Sequence, residues 1–112
     1  MKKVELIRRV EVALGAPVIN IEVDIEQVEV IIKDCLEEYR DYLCCCEECI
    51  SNREIYGILE FRELVTAKVG IQLWKNLCKF VGTKPDGFSH YLDGIYAHHM
   101  NELTRIRNNM YE

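Results

Sequence analysis

Residues 23–42 read VDIEQVEVIIKDCLEEYRDY, and this stretch decides how the chain folds. Asp24 has the short acceptor side chain favoured just before a helix, and Gln27 follows three residues later, the two halves of a capping box. Val23 and Val28 flank that box at the spacing of a hydrophobic staple. Beyond it, Ile25, Val28, Ile32, Cys35, Tyr39 and Tyr42 recur at intervals of three and four, widened by Ile31, Leu36 and Leu43. Glu26, Glu29, Lys33, Asp34, Glu37, Glu38 and Arg40 take the opposite face. Such a pattern is an amphipathic helix that must lay its apolar side on other helices.

Upstream, Val4, Ile7, Val10 and Leu14 set a helix over Lys2–Leu14, ended by Gly15 and kept from resuming by Pro17. Over residues 17–23, Ile19, Ile21 and Val23 alternate with Val18, Asn20 and Glu22, which predicts an extended segment with one apolar edge. Downstream, Ser51 and Glu54 form a second capping box, and a long helix is expected from there to about Val81. Its apolar residues occupy two sides, so it should be the central helix. Gly57 and Gly70 each cost about 1 kcal/mol relative to alanine in a helix interior, a cost that close approach of another backbone would explain. Gly82 ends that helix, and TKPDGFS is read as a turn built on Pro85, Asp86 and Gly87. A last helix is expected over Ser89–Asn109, with its stripe at Leu92, Ile95, Tyr96, His99, Leu103, Ile106 and Met110. The expected fold is all-α: a single four-helix bundle-like domain over 1–112, with one short extended segment at about 17–23 and antiparallel neighbours.

A chain of 112 residues, 49% apolar and 29% charged, has enough material for one core. No apolar run approaches the roughly 18 residues that cross a bilayer. Glu5, Arg8, Arg9 and Glu11 interrupt what would be the apolar part of a signal peptide, so a cytosolic chain without an export signal is expected. The net charge of −5 argues against a general nucleic-acid binder, whose affinity comes from neutralising phosphates. The charge is also uneven. Lys2, Lys3, Arg8 and Arg9 open the chain, whereas Glu22, Asp24, Glu26, Glu29, Asp34, Glu37, Glu38, Asp41, Glu47 and Glu48 follow. Such polarity either orients subunits against one another or simply solvates helix faces.

The run YLCCCEECIS at 42–51 invites a chemical reading. Continued at the period of the second helix, the stripe passes through Cys46, Cys49 and Ile50, where free cysteine serves as a small hydrophobe. A zinc site drawn from Cys44, Cys45, Cys46 and Cys49 is the alternative, but structural zinc wants two ligand pairs from separate places. Cys78 is isolated, His90 stands alone, and His98 and His99 are adjacent rather than spaced. A disulfide or redox role is disfavoured in a reducing compartment. The packing reading is preferred, with no metal and no cofactor. Catalysis has equally little support: His98 and His99 beside Glu102 have no nucleophile placed near them by any motif, and Glu47 and Glu48 oppose a reactive thiolate at Cys45 or Cys46. Trp74, between Leu73 and Leu77, is read as a core or interface aromatic.

Two stretches together resemble a known family. RRVEVALGAPVINIEVDIEQVEVIIKDCLEEYRDYL at 8–43 looks like the N-terminal half of the neck, or head-to-tail connector, proteins of tailed bacteriophages. TAKVGIQLWKNLCKFVGTKPDGFSHYLDGIYAHHMNEL at 66–103 is similar to their second half, a long helix, a Pro-Gly turn and a last helix. Residues 44–54, with the cysteine run, depart from that pattern. The resemblance implies a virion structural protein rather than an enzyme: a ring-forming subunit of about twelve copies with closed symmetry. That ring would stack between the portal vertex and the tail, contacting the portal and other neck and tail proteins, with no membrane partner. Packaged DNA would pass through the channel without sequence-specific binding.

Several residues suit that role. The Ile19, Ile21, Val23 edge could add as a strand to a neighbouring chain. Arg8 and Arg9 could meet acids of the next subunit and close a head-to-tail ring. An acidic second-helix face lining the channel would repel phosphates and let DNA slide. The competing functional reading is a small cytosolic metal-responsive or regulatory helical protein that uses the 44–49 cysteine cluster as its sensor.

Overall fold

The described residues of the computed structural model form five helices: α1 (Lys3–Ala13), α2 (Ile25–Tyr42), α3 (Asn52–Tyr56), α4 (Leu59–Val81) and α5 (Asp86–Met110). It describes residues 1–42, 50–81 and 86–111, with side chains over 1–42, 50–79 and 93–111, and there is no strand among the described residues. Cys44, Cys45, Cys46 and Cys49 lie outside them, as do Leu43, Glu47, Glu48, Gly82 and Pro85.

The end of α1 follows from one glycine. Gly15 adopts φ 117°, a left-handed conformation that costs glycine nothing. Its N–H donates to the Val12 carbonyl and that of Ala16 to the Glu11 carbonyl, both at 3.0 Å. This pair of bonds is a Schellman stop. The buried face of α1 differs from the expected one: Leu6 and Val10 are buried, whereas Val4 is 77% exposed. The predicted extended segment is also more folded than alternation suggested. Ile19 N–H bonds the Gly15 carbonyl and Val23 N–H bonds the Ile21 carbonyl, each at 2.9 Å, so the backbone satisfies itself without a partner strand.

Helix α2 begins as its capping box requires, with Asp24 N–H donating to Gln27 Oε1 at 3.2 Å. Val28, Ile32, Cys35 and Tyr39 are buried, while Ile25 and Tyr42 at the ends of the stripe remain more open. The expected single helix from Ser51 to Val81 is two helices. Ser51 Oγ accepts from Glu54 N–H at 3.2 Å and starts α3, which stops at Gly57. The cost of glycine within a helix is avoided by ending the helix there.

Helix α4 then runs 23 residues, with Phe61, Leu64, Val65, Ala67, Val69, Ile71 and Leu73 buried, and it touches all four other helices. Helix α5 starts at Asp86 rather than Ser89, so Asp86 and Gly87 belong to its first turn. It returns antiparallel along α4, as the contacts Glu63–Arg105, Gly70–His99 and Trp74–Tyr96 descend in step. Gly70 admits no backbone. The His99 ring sits where its β-carbon would be. Helix α2 also runs antiparallel to α4, from Gln27–Asn76 to Glu38–Lys68. One core receives residues from every helix. The molecule measures 51 × 29 × 19 Å, and its two longest helices, α4 and α5, are each about 35 Å or more at 1.5 Å per residue.

Candidate assembly surfaces

Arg8 and Arg9 are exposed on α1, and no ion pair among the described residues engages either. The acids of α2 divide into three groups. Glu26, Asp34, Glu37 and Asp41 are exposed, also without an ion pair among the described residues. Glu29 meets Lys3 at 3.8 Å across an open surface, a contact worth little. Glu38, expected on the solvated face, instead turns inward to Lys68 at 2.9 Å and Arg107 at 3.0 Å, tying α2 to α4 and α5. Burial would raise its carboxyl pKa, but the hydrogen bonds and charges of Lys68 and Arg107 outweigh that and hold it below the usual value.

The connector before α2 presents two kinds of apolar residue. Val18 is 94% and Ile19 43% exposed, facing solvent. Ile21 and Val23 are half-buried and line a cleft of about 140 Å³ with Ile7, Val10, Val28 and Val69. Of the apolar edge proposed from sequence, Ile19 is thus free on the outside while Ile21 and Val23 seat against α1 and α2. Asn76 of α4 clasps this segment. Its Nδ2 donates to the Glu22 carbonyl at 2.7 Å and to Gln27 Oε1 at 2.9 Å, and its Oδ1 accepts from Gln72 at 2.8 Å. Gln27 therefore closes the capping box and anchors it to α4 at once. Asn76→Ala should cost about 1–2 kcal/mol and strip these bonds. Hydrogen exchange is expected to quicken at residues 21–28 while α4 amides hold; unchanged exchange there would refute the clasp.

A second cleft, of about 220 Å³, opens between α1, α4 and α5 and includes Arg9, Arg62, Glu63, His98, His99 and Glu102. Arg105 bridges the two acids, at 2.8 Å to Glu63 and 2.9 Å to Glu102. His98 and His99 stand edge to face at 5.3 Å. Burial lowers the His99 pKa, assisted by His98 and opposed by Glu102. Glu102 is thus the partner of Arg105 rather than of an acid–base histidine. Trp74 stacks on Tyr96 with ring centres 4.3 Å apart, at the α4–α5 seam. Among the described residues no group of three His, Cys, Asp or Glu side chains could hold a metal, and no helix is long and apolar enough to cross a membrane. Sequence reading missed Arg62 and Arg105. The spacing of Glu102 and Arg105 on one helix was the available signal for the second, and nothing local marked the first.

Residues 1–55 match the family model of the Bacteriophage T4 neck protein gp13. That span takes in α1, the clasped connector, α2 and most of α3. No curated protein and no solved structure matches the chain.

Proposed function

We propose that this chain, whose residues 1–55 match the model of the Bacteriophage T4 neck protein gp13, is a phage neck protein and a subunit of a ring of about twelve copies, closed by a head-to-tail interface. The ring stands between portal and tail in the virion and surrounds the DNA channel. It acts through geometry rather than catalysis. The observation that carries the reading is the family match over residues 1–55. The exposed Arg8 and Arg9 of α1, set against exposed Glu26, Asp34, Glu37 and Asp41 of α2, support complementary faces on one subunit. Helix α2 has more acids than α1 has arginines, and those left over can face DNA and keep it from sticking. Exposed Val18 and Ile19 offer an apolar contact beside them.

Native mass spectrometry and negative-stain imaging of the chain, alone and with the portal of its virus, test this. A closed ring of defined copy number is expected. A chain that stays monomeric in both settings would overturn the reading. Arg8→Glu with Arg9→Glu should abolish the ring, yet change folding stability by no more than about 0.5 kcal/mol, because both side chains are exposed. Full assembly of that variant would discard the charge pairing.

A further inference from the structure

The cleft between α1, α4 and α5 holds a cation that the fold leaves unused. Arg62 lines it, and Arg62 Nε is buried with no hydrogen-bond partner. Leaving a buried donor unpaired is costly, and an apolar side chain of similar length would relieve that cost. Folding alone therefore does not account for an arginine here. Arg9 borders the same cleft from α1. The nearby acids are already engaged, since Arg105 bridges Glu63 and Glu102. Two arginines thus line one concavity, neither of them in an ion pair with a carboxylate among the described residues. His98 and His99 add ring nitrogens to the same wall, and Val10 and Ala67 supply an apolar floor.

We propose that this cleft is a socket for one carboxylate side chain, supplied by the acidic α2 face of a neighbouring copy of this chain. A volume of about 220 Å³ admits a glutamate side chain, not a helix. The carboxylate meets Arg62 and Arg9, a geometry guanidinium groups recognise in a bidentate way. The methylenes rest on Val10 and Ala67. Exposed Glu26 and Glu37 carry carboxylates of the required kind. A nucleic-acid backbone fits less well, because Glu63 and Glu102 flank the cleft and the chain carries a net charge of −5. The identity of the occupant rests on the neck-ring reading; the socket itself does not.

The test is a titration of the full-length monomer, followed by the NMR signals of the His98 and His99 rings. The probes are N-acetylglutamate methylamide, its neutral glutamine counterpart, and inorganic phosphate, all at constant ionic strength. Saturable shifts with the glutamate probe alone are expected, weakened about tenfold or more in Arg62→Met, which corresponds to about 1.4 kcal/mol. Arg53→Met, at an exposed arginine of α3 outside the cleft, should leave them unchanged. Equal shifts with the glutamine probe, tighter binding of phosphate, or undiminished binding in Arg62→Met would each overturn the proposal. Should Arg62→Met fail to fold, Arg62→Lys keeps the charge and loses the fork: weaker binding supports the socket and unchanged binding refutes it. The measurement needs no ring, so a chain that binds the probe but never assembles would count against the neck reading and not against the socket.

Discussion

Phe61→Ala should destabilise the fold by about 3–5 kcal/mol, a large share of the roughly 5–15 kcal/mol that holds a domain together. Phe61 is fully buried on α4, directly after the break that separates α3. Its ring meets Tyr39 of α2 edge-on at 5.8 Å and Tyr56 of α3 at 6.0 Å. Truncation removes aromatic surface from three helices at once, and the backbone around it is too constrained to collapse into the space. Leu59, two residues earlier and 59% exposed, is the control, and Leu59→Ala should move stability by no more than about 0.5 kcal/mol. Urea unfolding should show a much lower midpoint for Phe61→Ala with little change in slope. A loss below about 1 kcal/mol would mean that α4 is not the centre of the core.

The parts of this fold that were legible in sequence are those fixed by neighbours along the chain. The start of α2 needed only Asp24, Gln27 and the flanking valines, and the structure keeps the Gln27 arm of that box. Gly15 as a helix stop is similarly local. The face of α1 was not legible, because Val4, Leu6 and Ile7 offer two apolar centres and only contact with α4 selects Leu6 and Val10. The break at Gly57 was obscured because Ile55, Tyr56 and Phe61 satisfy a helical period on either side of it. Gly70 announced a close approach, but the identity of the approaching group depended on α5, which lies far along the chain. The cleft joins residues 9, 62 and 98, and no window of sequence contains such a set. Of the proposed assembly surfaces, Arg8 and Arg9 were named from charge alone, and the structure shows that both are exposed. The division between exposed Ile19 and seated Ile21 and Val23 required the clasp by Asn76.

Between pH 9 and 12 the fold should lose about 4 kcal/mol through one thiol, at about 1.4 kcal/mol for each pH unit. Cys35 lies in the α2 stripe with no exposed surface, and its pKa is pushed from 9.0 up to about 12. Burial is the main cause; Glu38 and Asp34 add to it, while Lys68 and Arg107 oppose it. The sign follows from proton counting. Below pH 9 both folded and unfolded chains keep the thiol proton, so the stabilising effect is fully present. Above pH 9 the unfolded chain releases the proton while the folded chain holds it, and unfolding gains ground until the folded thiol also ionises near 12. Tyr39, also raised by burial and by Glu60 and Tyr42, adds a loss of the same sign at higher pH. Cys35→Ala separates the two contributions. It should be somewhat less stable at pH 7 because a buried sulfur is lost, yet decline more shallowly than the parent by about one proton's slope from pH 9 to 11. Urea unfolding at intervals across that range measures the difference, and parallel slopes would show that the thiol is not withheld from solvent. A thiol held neutral in this way is a poor nucleophile and a poor metal ligand at neutral pH. At pH 8 its alkylation should therefore track opening of the fold rather than proceed at the rate of an exposed cysteine. Cys35 then serves α2 as a small apolar side chain, the role its place in the stripe requires.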